Sequence, residues 1–136
     1  ISKEAISVAR KNVKLHNVGS QIILKKLDFE KIKKKFDLIV SNPPYIKEHD
    51  YNKLQLEIRK FEPKSALLAG KDGLKFYKLF AKKIEQNMKK NSIFICEIGK
   101  NQLPSCRKIF SNTNLILKKI SKDIQKIDRT LTFLKI

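Results

Sequence analysis

Acidic residues are scarce in this chain. Thirteen Asp and Glu stand against 31 Lys and Arg, giving a formal charge of +18 over 136 residues. Cysteine occurs twice, as Cys96 and Cys106, with neither the paired spacing of a zinc module nor the number that a disulfide framework needs. Both read most simply as reduced thiols of a cytoplasmic protein. No apolar stretch approaches the ~18 residues that a membrane-spanning helix requires, and no signal peptide is visible. Internal repeats and low-complexity linkers are also lacking, which excludes solenoids and tethered modules. The missing negative charge has two readings. One is a partner rich in phosphate, bound with release of counterions; the other is a solvated lysine surface. The lysines are spread over every segment, which favours the second. The densest runs, "KIKKK" at 31–35 and "MKKN" at 88–91, fall where loops are expected.

What is present is an alternation of helix and strand with no internal boundary, read as one domain. Ser2 can cap a helix carrying Ile6, Val8, Ala9, Val13 and Leu15, which ends at "HNVG". Because Ile1 is followed at once by a helix, the chain reads as a piece of a longer one. "SQIILKKL" and "KFDLIVS" are β-branched runs that predict two strands, the second buried. Residues 51–60 are weakly helical. "GLKFYKLFAKKIEQNMKKN" predicts a strong amphipathic helix with Leu74, Tyr77, Phe80, Ile84 and Met88 on one face. "SIFICEIG" is a third strand, followed by a helix with Pro104 in its first turn. "LILKKI" and "RTLTFLKI" close the chain as strands whose short link requires antiparallel pairing. The order implies α/β architecture with a largely parallel sheet and helices on both faces.

"VSNPPYI", Val40 to Ile46, lies at the carboxyl end of a predicted strand, where open α/β sheets bind ligands. Pro43 and Pro44 fix two φ angles and remove two backbone donors, so the turn is stiff and its carbonyls remain free to accept. Asn42 adds a side-chain acceptor and Tyr45 a flat ring. Two convergent acceptors beside an aromatic face suit a planar NH2 group, either a carboxamide or the exocyclic amine of a base.

At this point the chain resembles the S-adenosyl-L-methionine-dependent methyltransferases that modify planar amino groups. The tetrapeptide itself does not separate adenine-N6 methyltransferases from glutamine-N5 methyltransferases. Three further stretches resemble the HemK/PrmC family of release-factor glutamine methyltransferases. They are "EIRKFEPKSALLAGKDGLKFY" (57–77), "EIGKNQ" (97–102) and "KDIQKIDR" (122–129), the last with Lys126 where the family has glycine.

The resemblance implies a class I, Rossmann-like methyltransferase sheet, mostly parallel with an antiparallel C-terminal strand. It also implies that the first strands, with the glycine-rich cofactor loop, lie upstream of Ile1. S-adenosyl-L-methionine would be the cofactor, with no metal. Asn42, Pro43 and Tyr45 would act in catalysis, and Asn42 through Tyr45, with Pro44, would bind substrate. Asn42 and Asp28 would contact the cofactor, with Glu30 a weaker substitute for Asp28. The implied partner is a peptide-chain release factor presenting the glutamine of a Gly-Gly-Gln loop. Adenine-N6 methylation of nucleic acid is the alternative, and an inactive or split methyltransferase fragment is a third reading.

Among the neighbours, Asp37 divides between a lysine salt bridge and a turn role. Glu97 reads as a hydrogen-bond partner of the substrate-side loop, Cys96 as core, and His16 and His49 as solvent-facing.

Overall fold

The computed structural model describes residues 1–136, which gather into two compact units, Ile1–Lys33 and Lys34–Ile136. In the first unit Ser2 caps helix α1 (Lys3–Leu15), its hydroxyl accepting from the Ala5 amide at 3.0 Å. Ile6, Ala9 and Val13 form the less exposed stripe, while Val8 and Leu15 face solvent. In the apolar run at 20–27, Ser20 and Gln21 lie in a turn and the remainder has no regular secondary structure and enters no ladder. β-branched residues favour extended backbone, yet a strand exists only where a neighbour accepts its hydrogen bonds.

The second unit is built on a four-stranded mixed sheet in the order β1-β2-β4-β3. Its strands are β1 (Phe36–Ser41), β2 (Met88–Glu97), β3 (Leu115–Lys122) and β4 (Asp128–Lys135). β1 runs parallel to β2, and β4 lies antiparallel to both β2 and β3. Parallel pairing is therefore confined to β1 and β2, less than the sequence suggests, because the run at 20–27 contributes no strand.

Between β1 and β2 the chain forms the short helices α2 (Leu56–Phe61) and α3 (Lys64–Leu67) and then α4 (Lys75–Lys83). Helix α5 (Leu103–Phe110) links β2 to β3, with Pro104 in its first turn. No helix is long and apolar enough to cross a membrane.

The core lies where α4 and α5 cover one face of the sheet. Phe94 of β2 is fully buried, with Phe80 edge-on at 5.5 Å and Phe133 stacked at 6.0 Å. Phe110 packs on Phe133 at 4.5 Å between ring centroids. Alternation along β2 and β4 sends Phe94, Cys96, Leu131 and Phe133 to this face. Leu38, Val40 and Ile93 point the other way and are exposed, Val40 by 67%. β1 is thus not the buried strand expected of "KFDLIVS", because it is an edge strand paired only to β2 and its outer apolar face is uncovered.

The strong helix is also shorter than its periodicity predicts. Tyr77, Phe80, Ile84 and Met88 are all buried, as the pattern requires, but α4 stops at Lys83, and after a 3-10 turn Met88 pairs with Phe36 in the sheet. Tertiary bonds outweigh helix propensity there. The Asn87 amide donates to the Lys34 carbonyl at 3.1 Å, and the Lys135 ammonium donates to the carbonyls of Glu85 (2.6 Å) and Met88 (3.0 Å). The lysines of "MKKN" accordingly stand on β2, where Lys89 pairs with Asp37 at 2.8 Å on the surface.

Candidate active site

Strand β1 ends at Ser41 and delivers Asn42, Pro43, Pro44 and Tyr45 beyond the carboxyl edge of the parallel pair. All four residues line one cavity of about 480 Å³, walled on the far side by Leu54, Ile58, Glu62 and Leu67. Pro43 is buried and seats the turn, whereas Asn42 is exposed and its side-chain amide has no partner within the chain. A free carboxamide beside a mostly apolar wall is equipped to receive a planar polar group. Asp28 lies in the first unit, where its Oδ1 caps a 3-10 turn by accepting from the Glu30 amide at 3.0 Å.

Two prolines in succession leave the middle of the turn without backbone donors, so beyond Ser41, which pairs with Cys96, it is anchored from Tyr45 onward. Three anchors do this. The Ile46 amide donates to the Leu67 carbonyl at 2.9 Å, and the Ile46 carbonyl accepts from the Ala69 amide at 2.9 Å, tying the turn to the exit of α3. The Tyr45 hydroxyl donates to Glu97 Oε1 at 3.3 Å, the partnership with the substrate-side loop that a carboxylate at the end of β2 suggests. Burial, and then the Glu97 carboxylate, raise the Tyr45 pKa above its ordinary 10.0, so the phenol keeps its proton and remains a donor.

The third anchor is Gln102. Its Nε2 donates to the carbonyls of Tyr45 (3.2 Å) and Gly73 (3.1 Å). Its Oε1 accepts from the Gly99 amide (2.9 Å) and the Tyr77 hydroxyl (3.1 Å). The amide orientation is unambiguous, since a flip would set an NH2 against the Gly99 N–H. Every donor and lone pair of this buried side chain is used.

Two glycines allow that convergence. A Cβ on Gly73, at φ +73°, would lie 2.7 Å from the Tyr45 carbonyl oxygen, and one on Gly99 would lie 2.7 Å from Gln102 Oε1. A second cavity of about 530 Å³ opens on the other side of Tyr45, lined by Lys47, Asp72, Lys100 and Arg129 among others. Arg129 Nε bonds Asp123 Oδ2 at 2.9 Å, closing the hairpin between β3 and β4.

The structure therefore joins the proposed acceptors into one pocket and adds residues that carried no assigned role in the sequence reading. Gln102 and Tyr45 are 57 positions apart, and nothing in their spacing announces contact. The available signal was that "DG" at 72–73 and "EIGKNQ" both belong to stretches resembling one family, hence to one neighbourhood. Cys96 and Cys106 are buried, with burial raising both thiols. His16 and His49 are exposed.

Comparison with known proteins follows the same lines. A family model described as Eco57I restriction-modification methylase matches residues 2–128. The chain is 41% identical over 133 residues to a bifunctional methyltransferase of Rickettsia typhi, covering 96% of this chain and 26% of that protein. It is 34% identical over 135 residues to the release factor glutamine methyltransferase of Thermodesulfovibrio yellowstonii, covering 98% of this chain and 48% of that protein. The chain thus spans about a quarter to a half of the curated relatives it matches. The crystal structure of a methyltransferase from Pyrococcus furiosus superposes with a TM-score of 0.65 at 17% identity, over 99% of this chain and 59% of that one, a likeness of fold. The chain has the Rossmann-like α/β fold of a class I methyltransferase, and it belongs to the family described as Eco57I restriction-modification methylases.

Proposed function

We propose that the protein containing this chain transfers a methyl group from S-adenosyl-L-methionine to a planar amide nitrogen, the glutamine N5 of a peptide-chain release factor. The observation that carries this reading is the free Asn42 carboxamide held beside the buried Pro43 at the end of β1, in a chain similar throughout its length to a release factor glutamine methyltransferase. An amide nitrogen is a weak nucleophile because its lone pair is delocalised into the carbonyl. The Asn42 oxygen and the Pro43 carbonyl would accept its two N–H groups, holding the nitrogen in line and stabilising the positive charge that develops on it. Tyr45 would pack against the amide plane.

S-adenosyl-L-methionine, when bound, supplies an electrophilic methyl with its own leaving group. In the second unit Asn42 has the free polar group that suits a contact to it. Asp28, in the first unit, has one carboxylate oxygen not used in capping. A release factor as substrate places this activity in the cytoplasm.

A second reading, adenine-N6 methylation of nucleic acid, draws support from the description of the matching family and from the charge of +18. Against it, the lysines are dispersed, whereas a duplex-binding face concentrates them, and a base-flipping enzyme commonly carries an added recognition region. The test uses the full-length protein and labelled methyl donor, with a release factor, its Gly-Gly-Gln→Gly-Gly-Ala variant and adenine-containing DNA offered together. Label is expected on the first alone; label on DNA supports the other reading, and equal label on the alanine variant removes that glutamine as the target. Asn42→Ala should lower the transfer rate about 10²–10³-fold with thermal stability nearly unchanged. Undiminished turnover in that variant removes the acceptor role.

A further inference from the structure

We infer that Gln102 is the positioning residue of the Asn42–Tyr45 turn: its carboxamide fixes the Tyr45 carbonyl and so sets the rate of transfer without touching substrate. The inference rests on the acceptor role proposed above for Asn42 and Pro43. Its basis is a conflict between chemistry and backbone. Pro43 and Pro44 offer no N–H, so the reactive end of the turn cannot be stitched to the sheet by its own amides. At its start the turn hangs from Ser41, which pairs with Cys96 in the sheet; past the two prolines its placement is inherited from Tyr45 and Ile46. The Ile46 bridge to α3 holds the outer side. On the inner side only side chains reach it: Glu97 at the ring hydroxyl, and Gln102 at the backbone itself.

Of these two, Gln102 makes the stiffer link. It stands just before α5, is 7% exposed, and spends its remaining valences on Gly73, Gly99 and Tyr77, which belong to three separate segments. A side chain bonded in four directions cannot follow one partner without breaking with the others. The Tyr45 carbonyl is therefore referenced to the end of β2 and to the start of α4 together. Gly73 and Gly99 admit no Cβ at these contacts, which fits a junction where backbone must approach the amide directly. A shift of about 1 Å in a reacting group costs as much as 10²-fold in rate. Relaxation of the turn should accordingly appear in kcat and leave KM nearly unchanged.

The test compares two variants of the full-length protein at temperatures well below unfolding. Gln102→Glu keeps an acceptor for the Gly99 N–H but turns both donor arms into acceptors facing carbonyls. Gln102→Met keeps the volume and removes all four bonds. Both should lose about 10- to 100-fold in kcat, with KM for release factor and for methyl donor within about threefold of wild type. In Gln102→Glu, kcat should recover as pH falls and the buried carboxyl regains a proton to donate, while Gln102→Met shows no such recovery.

A second measurement is independent of activity. By NMR of ring-labelled tyrosine, assigned with Tyr45→Phe, the Tyr45 hydroxyl should titrate nearer its ordinary value in Gln102→Met as the ring loses its enclosure, the variant on which this readout is judged because Gln102→Glu adds a carboxylate that opposes the change. An unchanged Tyr45 titration overturns the inference, as does wild-type kcat in Gln102→Glu at neutral pH alongside an inactive Asn42→Ala. Loss of cooperative folding in both variants also overturns it, since the residue would then serve the fold as a whole. Activity retained in Asn42→Ala refutes the acceptor role instead, and the Tyr45 titration then decides this inference alone.

Discussion

Gly70 and Gly73 lie three residues apart before α4, and both have left-handed backbone, at φ +80° and +73°. Alanine at either position meets the same conformational penalty, about 1–2 kcal/mol. Their surroundings differ. A Cβ at Gly70 finds its nearest neighbour at 3.8 Å, the Cβ of Lys75, which is ordinary contact. A Cβ at Gly73 would stand 2.7 Å from the Tyr45 carbonyl oxygen and 2.9 Å from Gln102 Nε2. Neither is the free end of a flexible chain: one is backbone, and the other is a buried amide fixed by four bonds. Overpacking against such neighbours adds about 1–3 kcal/mol.

Gly73→Ala should therefore destabilise by about 2–5 kcal/mol and Gly70→Ala by about 1–2 kcal/mol, so the difference isolates the steric cost of the junction. Urea unfolding of the two variants measures it, provided the slopes agree. Gly73→Ala should also lower kcat, because the group it displaces is the Tyr45 carbonyl. Equal destabilisation by the two alanines would refute the argument that close approach to Gln102, and not backbone conformation, is what demands glycine at position 73.

Lys126 adopts φ +62° in the hairpin between β3 and β4, the position where the resembling family carries glycine. Lys126→Gly should raise stability by about 1 kcal/mol in the same urea experiment, and a loss of stability would contradict the strain argument. The Cys106 thiol is pushed up from an ordinary 9.0 to about 12 by burial, and Cys96 is raised for the same first cause. Neither should react with a thiol reagent at pH 8 until the protein unfolds. For an acid whose pKa rises on folding, stability is complete below the unfolded value and is lost as pH climbs toward the folded one. Unfolding free energy should therefore decline from about pH 9 upward, and less steeply in Cys106→Ala, as denaturation at stepped pH would register.

The sequence alone determined features that depend on neighbours within a few positions. Stiffness at Pro43–Pro44, the cap at Ser2, the buried face of Tyr77, Phe80, Ile84 and Met88, and the closing antiparallel hairpin are all local, set by dihedral limits and side-chain period. So is the placement of Asn42 beyond a strand end.

What only tertiary structure decided involves groups that must meet across the chain. The run at 20–27 has strand-forming residues but no ladder, because hydrogen-bonding partners and not propensity make a strand. Helix α4 yields to β2 at Met88 because Lys34, Phe36 and Lys135 offer its backbone and Asn87 better partners than another helical turn would. Tyr45, Gly73, Tyr77, Gly99 and Gln102 are spread over 58 positions, yet they converge on one carboxamide. No period or spacing encodes that meeting; it follows from the parallel crossover that brings the ends of β1 and β2 side by side and sets the start of α4 against them.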